Sequence, residues 1–161
     1  MVNLEIKNYL QILLFLSFFV LISALIIEYV LGYRPCNLCL IERIPYGISI
    51  IILSLNYFFK KNQMFYSILL MLVFLFSILI SFYHFGIEQG FITESSVCAS
   101  GNLDLLTKED ILNSLPDLNI SCKDVAFKIF DLSLTTYNIM ISLLMFLISL
   151  KVYLHTDDIK K

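Results

Sequence analysis

Four long apolar runs constrain what this chain can fold into. Tyr9 to Leu31 is interrupted only by Gln11, Ser17, Ser23 and Glu28. Ile44 to Phe59 is shorter and reaches back toward Leu38. Met64 to Phe85 has Ser67, Ser77, Ser81 and His84 as its polar members, and Leu132 to Leu154 holds Thr135, Thr136, Asn138 and Lys151. A bilayer core of about 30 Å takes about 20 apolar residues to cross as a helix. None of the runs carries the clear polar stripe of a helix that faces water. Only 15% of the chain is charged, against about a quarter in a soluble domain, so too little polar sequence remains to cover four buried helices. The expected fold is an all-α membrane protein. It is a single domain over 1–161, a four-transmembrane-helix bundle with spans at about 9–31, 42–59, 64–85 and 132–154. The first run is longer than the ~7–15-residue core of a signal peptide and no small-x-small cleavage site follows it, so it reads as a retained span.

Four spans place both termini on one side. Lys7, Lys60, Lys61, Lys151, Lys160 and Lys161 lie there, six of the 11 basic residues. The positive-inside rule assigns that side to the cytoplasm. The two remaining loops, about 32–41 and 86–131, are then extracytoplasmic. The net charge of −2 supplies no basic field for nucleic acid.

All four cysteines, Cys36, Cys39, Cys98 and Cys122, fall in or at the edge of those outer loops. Thiols used only as small hydrophobes would scatter through the spans. Confinement to the side where disulfides persist points to redox use. Cys36-Asn37-Leu38-Cys39 has the spacing at which two thiols close a small ring. Cys39 is expected near the start of the second helix, where the helix dipole favours a thiolate. Arg43, one turn on, adds positive charge, unless Glu42 pairs with it. Pro45 is tolerable in a first helical turn and would kink a helix that begins earlier. Cys-x-x-Cys also serves zinc, but a closed site would draw on Cys36, Cys39, Cys98, Cys122 and His84 without a second tight pair. The reading is therefore no metal.

In the long loop, Thr107-Lys108-Glu109-Asp110 carries an acidic variant of the capping box. Leu106, Ile111, Leu112 and Leu115 form an apolar face that Pro116 ends. This predicts a short amphipathic helix, lying on the membrane or packed on the loop. Ser121-Cys122-Lys123-Asp124 repeats the cap pattern. Ser95, Ser96, Ser100, Gly101 and Asn102 around Cys98 predict an exposed, mobile cysteine, with a static Cys98–Cys122 disulfide as the alternative. His84, at the outer end of the third span, is either an interfacial anchor or a donor to a carbonyl of a ring ligand. Glu28 is read as an interfacial group.

Three segments together resemble the DsbB family of bacterial inner-membrane quinone reductases. They are Arg34-Pro35-Cys36-Asn37-Leu38-Cys39 running on to Glu42-Arg43, then Tyr83-His84-Phe85-Gly86-Ile87-Glu88-Gln89-Gly90 before Cys98, then Cys122 followed by Leu132-Ser133-Leu134-Thr135-Thr136-Tyr137-Asn138. The resemblance implies an inner-membrane disulfide oxidoreductase that reoxidises a periplasmic DsbA-like thioredoxin-fold oxidase. Its electrons go to a membrane quinone, ubiquinone or menaquinone. Residue by residue it implies that Cys98 receives the partner, that Cys122 is its disulfide mate and that Cys36 exchanges with Cys122. Cys39 is then the thiolate that meets the quinone, with Arg43 and His84 at the ring. The chain has no Trp, where many members place tryptophans near the quinone, and Glu28 stands where members often carry a neutral residue. No flavin or nucleotide motif is visible, which fits a lipid-soluble acceptor. Two other readings stay open. One is a vitamin K epoxide reductase-like thiol oxidase, which usually has its Cys-x-x-Cys in a late span. The other is a non-catalytic or metal-binding membrane protein with structural disulfides.

Overall fold

The structure, a computed structural model, describes residues 4–59, 62–93, 98, 121–123, 128–129 and 132–160. Among these, four helices dominate. They are α1 (Leu4–Leu25, continued by a π-helical turn, Ile26–Val30), α2 (Asn37–Phe59), α3 (Gln63–Glu88) and α4 (Leu134–Lys160). A short antiparallel pair, β1 (Lys128–Ile129) and β2 (Leu132–Ser133), precedes α4. Each helix is long and apolar enough to cross a membrane. With α1 counted through its π turn, the shortest span is α2, whose 23 residues reach about 35 Å at ~1.5 Å per residue. Helices suit lipid because they satisfy their backbone amides internally.

Several boundaries differ from the sequence expectation, and two of them have a clear physical reason. α2 begins at Asn37 rather than 42, because Cys36 caps it, and Pro45 therefore sits inside the helix. Proline has no N–H, so one backbone hydrogen bond is missing there. α4 begins at Leu134 rather than 132, because Leu132 and Ser133 pair with Ile129 and Lys128. The Thr136 N–H then reaches the Ser133 hydroxyl at 3.4 Å, a serine N-cap. The predicted helix at 106–115 lies outside the described residues. Cys122 and Lys123 form a turn, with the Lys123 N–H donating to Ser121 Oγ at 3.2 Å.

Consecutive helices pack side by side, and α4 closes the ring on α1, with α3 against α4 the most extensive contact. The arrangement is inverted relative to a soluble bundle. Phe15, Phe19, Ile51, Phe65, Leu72 and Leu79 face outward, whereas Ser17, Ser49, Ser77, Ser81, Ser142 and Ser149 are completely buried. Helices in lipid gain nothing from hiding apolar surface from lipid. Small residues that permit close approach, and hydrogen bonds between helices, hold them together instead. Both are present. Ser17 and Ser49 share a hydrogen bond of 2.8 Å between α1 and α2. On α4, Asn138 donates to Ser81 of α3 at 2.7 Å and accepts from the Tyr46 hydroxyl of α2. Ser142 lies 2.8 Å from Tyr46 and 2.9 Å from Ser77. Around Tyr46 the apolar core is Leu13, Ile52, Leu53, Leu70, Phe74 and Met145. Tyr46→Phe keeps that packing and removes one donor to Asn138. It is expected to destabilise the bundle by roughly 0.5–2 kcal/mol, measured by unfolding in mixed micelles, with Asn138→Ala at least as severe.

α3 ends in a hydrogen-bonded cap that places the residues of its last turns. The Gly90 N–H donates to Ile87 O at 3.0 Å and the Phe91 N–H to Gly86 O at 2.9 Å. Together they form a Schellman pattern whose left-handed position, Gly90, has φ +76°. Ile92 then folds back so closely that a Cβ at Gly86 would lie 2.6 Å from Ile92 Cδ1.

Candidate functional site

Cys36 occupies the N-cap of α2. Its carbonyl accepts the first helical hydrogen bond, from the Leu40 N–H at 3.2 Å, and its sulfur accepts the Cys39 N–H at 3.3 Å. Serine, threonine, aspartate or asparagine usually fills that position. Here a sulfur does, so the positive end of the helix acts on Cys36 rather than on Cys39 as expected. Cys39 stands one turn in, its sulfur 2.7 Å from that of Cys36, and both are free thiols. Cys36 is held well below the ordinary thiol range, at about 4. The hydrogen bond from the Cys39 thiol is the largest cause, burial opposes it, and His84 adds to the lowering.

The helical turn after Cys39 sends neighbouring side chains to different partners. Glu42 faces α3, where its Oε1 lies 3.0 Å from Nδ1 of His84. Arg43 faces the π-helical turn, where it pairs with Glu28. Residues i and i+1 do not face each other on a helix, so the Glu42–Arg43 pairing weighed from sequence does not form. Glu28 is thus an ion-pair partner rather than a plain interfacial group, and the cation that sequence assigned to Cys39 is shared with a carboxylate. The π turn re-aims the end of α1, a feature common at functional sites.

His84 is almost completely buried. With Nδ1–H donating to Glu42, its Nε2 is left facing Cys36 Sγ at 3.5 Å. One turn on, Glu88 accepts a hydrogen bond from the Thr135 hydroxyl at 2.6 Å through Oε1, which also lies 3.9 Å from His84 Nε2. Glu88 Oε2 is buried with no hydrogen-bond partner among the described residues.

Cys98 and Cys122 form a disulfide with Cα atoms 5.3 Å apart. Both are buried, at 1% and 2% exposure, in one cluster with Cys36, Leu38 and Ile87, against which Cys39 also packs. The exposure expected of Cys98 from its serine-rich flanks is corrected by this burial. The cystine is apolar and lies on the start of α2 and the end of α3, so neighbouring polarity was a poor guide.

The site opens into a cavity of about 210 Å³. Phe19, Val20, Ile27 and Ile141 line its apolar side, and Cys36, Cys39, Arg43, His84, Glu88 and Cys122 line the rest. A dry cavity of about 150 Å³ already admits a benzene ring, so a substituted six-membered ring fits by volume. All six residues singled out from sequence therefore meet in one neighbourhood. Cys36, Cys39, Arg43, His84 and Cys122 line the cavity, and Cys98 is bonded to Cys122. Sequence reasoning gave no role to Glu88 or Thr135. The i,i+4 spacing of His84 and Glu88 was the available signal for the first.

A thiolate at Cys36 has a direct signature. In a Cys98→Ala/Cys122→Ala protein only the Cys36–Cys39 pair titrates as thiols. Because the pKa is lowered, the anion is present at neutral pH and is lost as pH falls toward about 4. Thiolate ultraviolet absorbance is expected to follow that course, and His84→Gln to move the midpoint upward. A midpoint near the ordinary ~8.5 contradicts the assignment.

Over residues 7–152 the chain matches the family described as Disulfide bond formation protein DsbB. It is also 33% identical over 137 residues to an uncharacterized protein, RP370, of Rickettsia prowazekii (strain Madrid E), a match spanning 82% of this chain and 78% of that relative. No solved structure matches.

Proposed function

Because this chain belongs to the DsbB family, and so to the membrane-embedded disulfide oxidoreductases, we propose that it reoxidises a DsbA-like thioredoxin-fold partner and passes the electrons to a membrane quinone. One observation carries the reading. The bonded pair Cys98–Cys122 and Cys36 share a buried cluster against which Cys39 packs, and Cys36, Cys39 and Cys122 line a ring-sized cavity together with Arg43 and His84. The proposed setting is a bacterial inner membrane. Both termini are cytoplasmic and the cysteines periplasmic, as the lysine distribution favours.

The sulfur chemistry balances as follows. A thiolate of the reduced partner bonds to Cys98 Sγ, and Cys122 leaves as a thiolate. Cys122 attacks Cys36 of an oxidised Cys36–Cys39 pair, and Cys39 leaves as a thiolate. The partner's second thiolate resolves its mixed disulfide and frees Cys98. Cys98 then re-forms its bond to Cys122 and releases Cys36. The partner is oxidised by two electrons and Cys36/Cys39 is reduced by two.

A bound quinone supplies the two-electron, two-proton acceptor that regenerates the Cys36–Cys39 disulfide. The chain's residues prepare that event. Arg43 and His84 would hold the ring oxygens. The N-cap stabilises negative charge on Cys36, and the Cys39 thiol shares its proton with it. Glu42 fixes the ring of His84, leaving Nε2 to hold or release a proton at the cavity. Apolar walls exclude water and strengthen these charges. The test mixes purified protein, a short-chain quinone and a reduced thioredoxin-fold dithiol protein. Loss of quinone absorbance in step with partner dithiol is expected. An unchanged quinone spectrum overturns the proposal.

A further inference from the structure

Cys36 Sγ, Cys39 Sγ and a ring nitrogen of His84 all lie within 4.8 Å of one another. That set is more than a redox pair with a histidine nearby. Tetrahedral zinc, with bonds of ~2.3 Å to sulfur and ~2.0 Å to nitrogen, holds those two ligand atoms about 3.5 Å apart. Cys36 Sγ and His84 Nε2 are 3.5 Å apart. The two sulfurs, at 2.7 Å, must separate by about 1 Å, which rotation of the half-buried Cys39 side chain provides.

The surroundings are those of a ligand set. Metal-binding histidines almost always donate their other ring N–H to a carboxylate or carbonyl, which fixes the tautomer. His84 does this through Nδ1 to Glu42 at 3.0 Å. A second, independent feature is Glu88. Its side chain is 6% exposed and lines the same cavity, its Oε1 is 3.9 Å from His84 Nε2, and its Oε2 has no partner among the described residues. A buried carboxylate oxygen left without a donor is costly, and a cation removes the cost. Thr135 meanwhile anchors Oε1. Two sulfurs and one imidazole stand together as three ligands for a borderline-soft cation, and Glu88 supplies the fourth once its carboxylate swings toward the sulfurs.

We propose that the dithiol form of this protein binds one Zn2+ through Cys36, Cys39, His84 and Glu88, and that the ion blocks re-formation of the Cys36–Cys39 disulfide until it is removed. Any thiol proton still present is released to water on binding, and no electron moves. The oxidised pair has no thiolate to offer, so the site exists in one redox state only. This is an inhibitory site rather than a resident cofactor, and it rests on geometry alone, without the quinone or the partner.

Full-length protein carrying Cys98→Ala/Cys122→Ala, purified in detergent and reduced, is titrated with Co2+ in the absence of quinone. Thiolate-to-cobalt charge-transfer absorption and tetrahedral visible bands are expected at one ion per chain, and Zn2+ is expected to displace them. The same protein with its Cys36–Cys39 disulfide formed should show neither, and it controls for folding. Glu42→Gln should weaken binding by about tenfold to a hundredfold, with His84→Gln and Glu88→Gln at least as severe. Zn2+ should also protect both thiols of reduced wild-type Cys36/Cys39 from alkylation. Absent bands in the reduced protein, equal bands in the oxidised protein, affinity indifferent to His84→Gln and Glu88→Gln, or thiols unprotected by Zn2+ each overturn the proposal. None of these readouts involves quinone reduction, so failure here and failure of the proposed reaction are told apart.

Discussion

Replacing Cys98 by alanine is expected to drop oxidation of a thioredoxin-fold partner to the rate of a protein-free mixture, while quinone reduction driven by dithiothreitol persists. The reason lies in which sulfurs can be reached. Thiol–disulfide exchange requires approach to one sulfur of the bond and a leaving group on the other. Cys98 and Cys122 are both buried against Leu38 and Ile87, with Cys36 in the same cluster. A folded partner must therefore uncover the cystine before it reacts, whereas a small dithiol can enter the cavity that Cys36 and Cys39 line. Without Cys98 a protein partner has no bond to attack, yet the inner pair remains intact. Cys39→Ala should show the converse, with no quinone reduction by either donor. The measurement is quinone absorbance with each donor in turn. Normal partner turnover in the Cys98→Ala protein removes that residue as the entry point.

Burial also accounts for what the sequence could and could not disclose. The spans were legible because about 20 consecutive apolar residues have few other uses. Rotation of each helix about its own axis was not legible. The runs are apolar nearly all round, so nothing in the pattern of α2 says that Glu42 turns to His84 while Arg43 turns to Glu28. Those pairings join residues 42 and 15 positions apart and depend on which small residues let helices approach. Buried serines set that approach: Ser17 and Ser77, which read as interruptions of an apolar run, and Ser49 and Ser142, which the sequence did not single out. Cys36 was identifiable as a redox residue from its spacing. Its role as the helix cap depended on where α2 begins, which the short run at Ile44 to Phe59 obscured.

The same rotation shapes what is expected at Arg43. Arg43→Ala should raise the KM for quinone and lower turnover, with a combined loss of about tenfold to a hundredfold. That is below the roughly hundredfold to thousandfold effect of deleting one donor to a developing oxyanion, because the side chain is 21% exposed and already paired with Glu28. Part of the loss has a different origin. Glu28 lines up with the guanidinium on the side of the π turn, and deleting the cation leaves a carboxylate near a site that must accept negative charge. An ion whose partner is removed costs more than the pair contributed. Arg43→Ala/Glu28→Gln should therefore recover part of the lost turnover. Glu28→Gln alone keeps the positive charge, loses only its tether, and should be milder than Arg43→Ala. With dithiothreitol as donor the partner's docking is bypassed, so any change reports on the quinone end. Unchanged quinone kinetics in Arg43→Ala would take the guanidinium out of the acceptor site. A double variant no better than Arg43→Ala would instead show that Glu28 only positions the arginine.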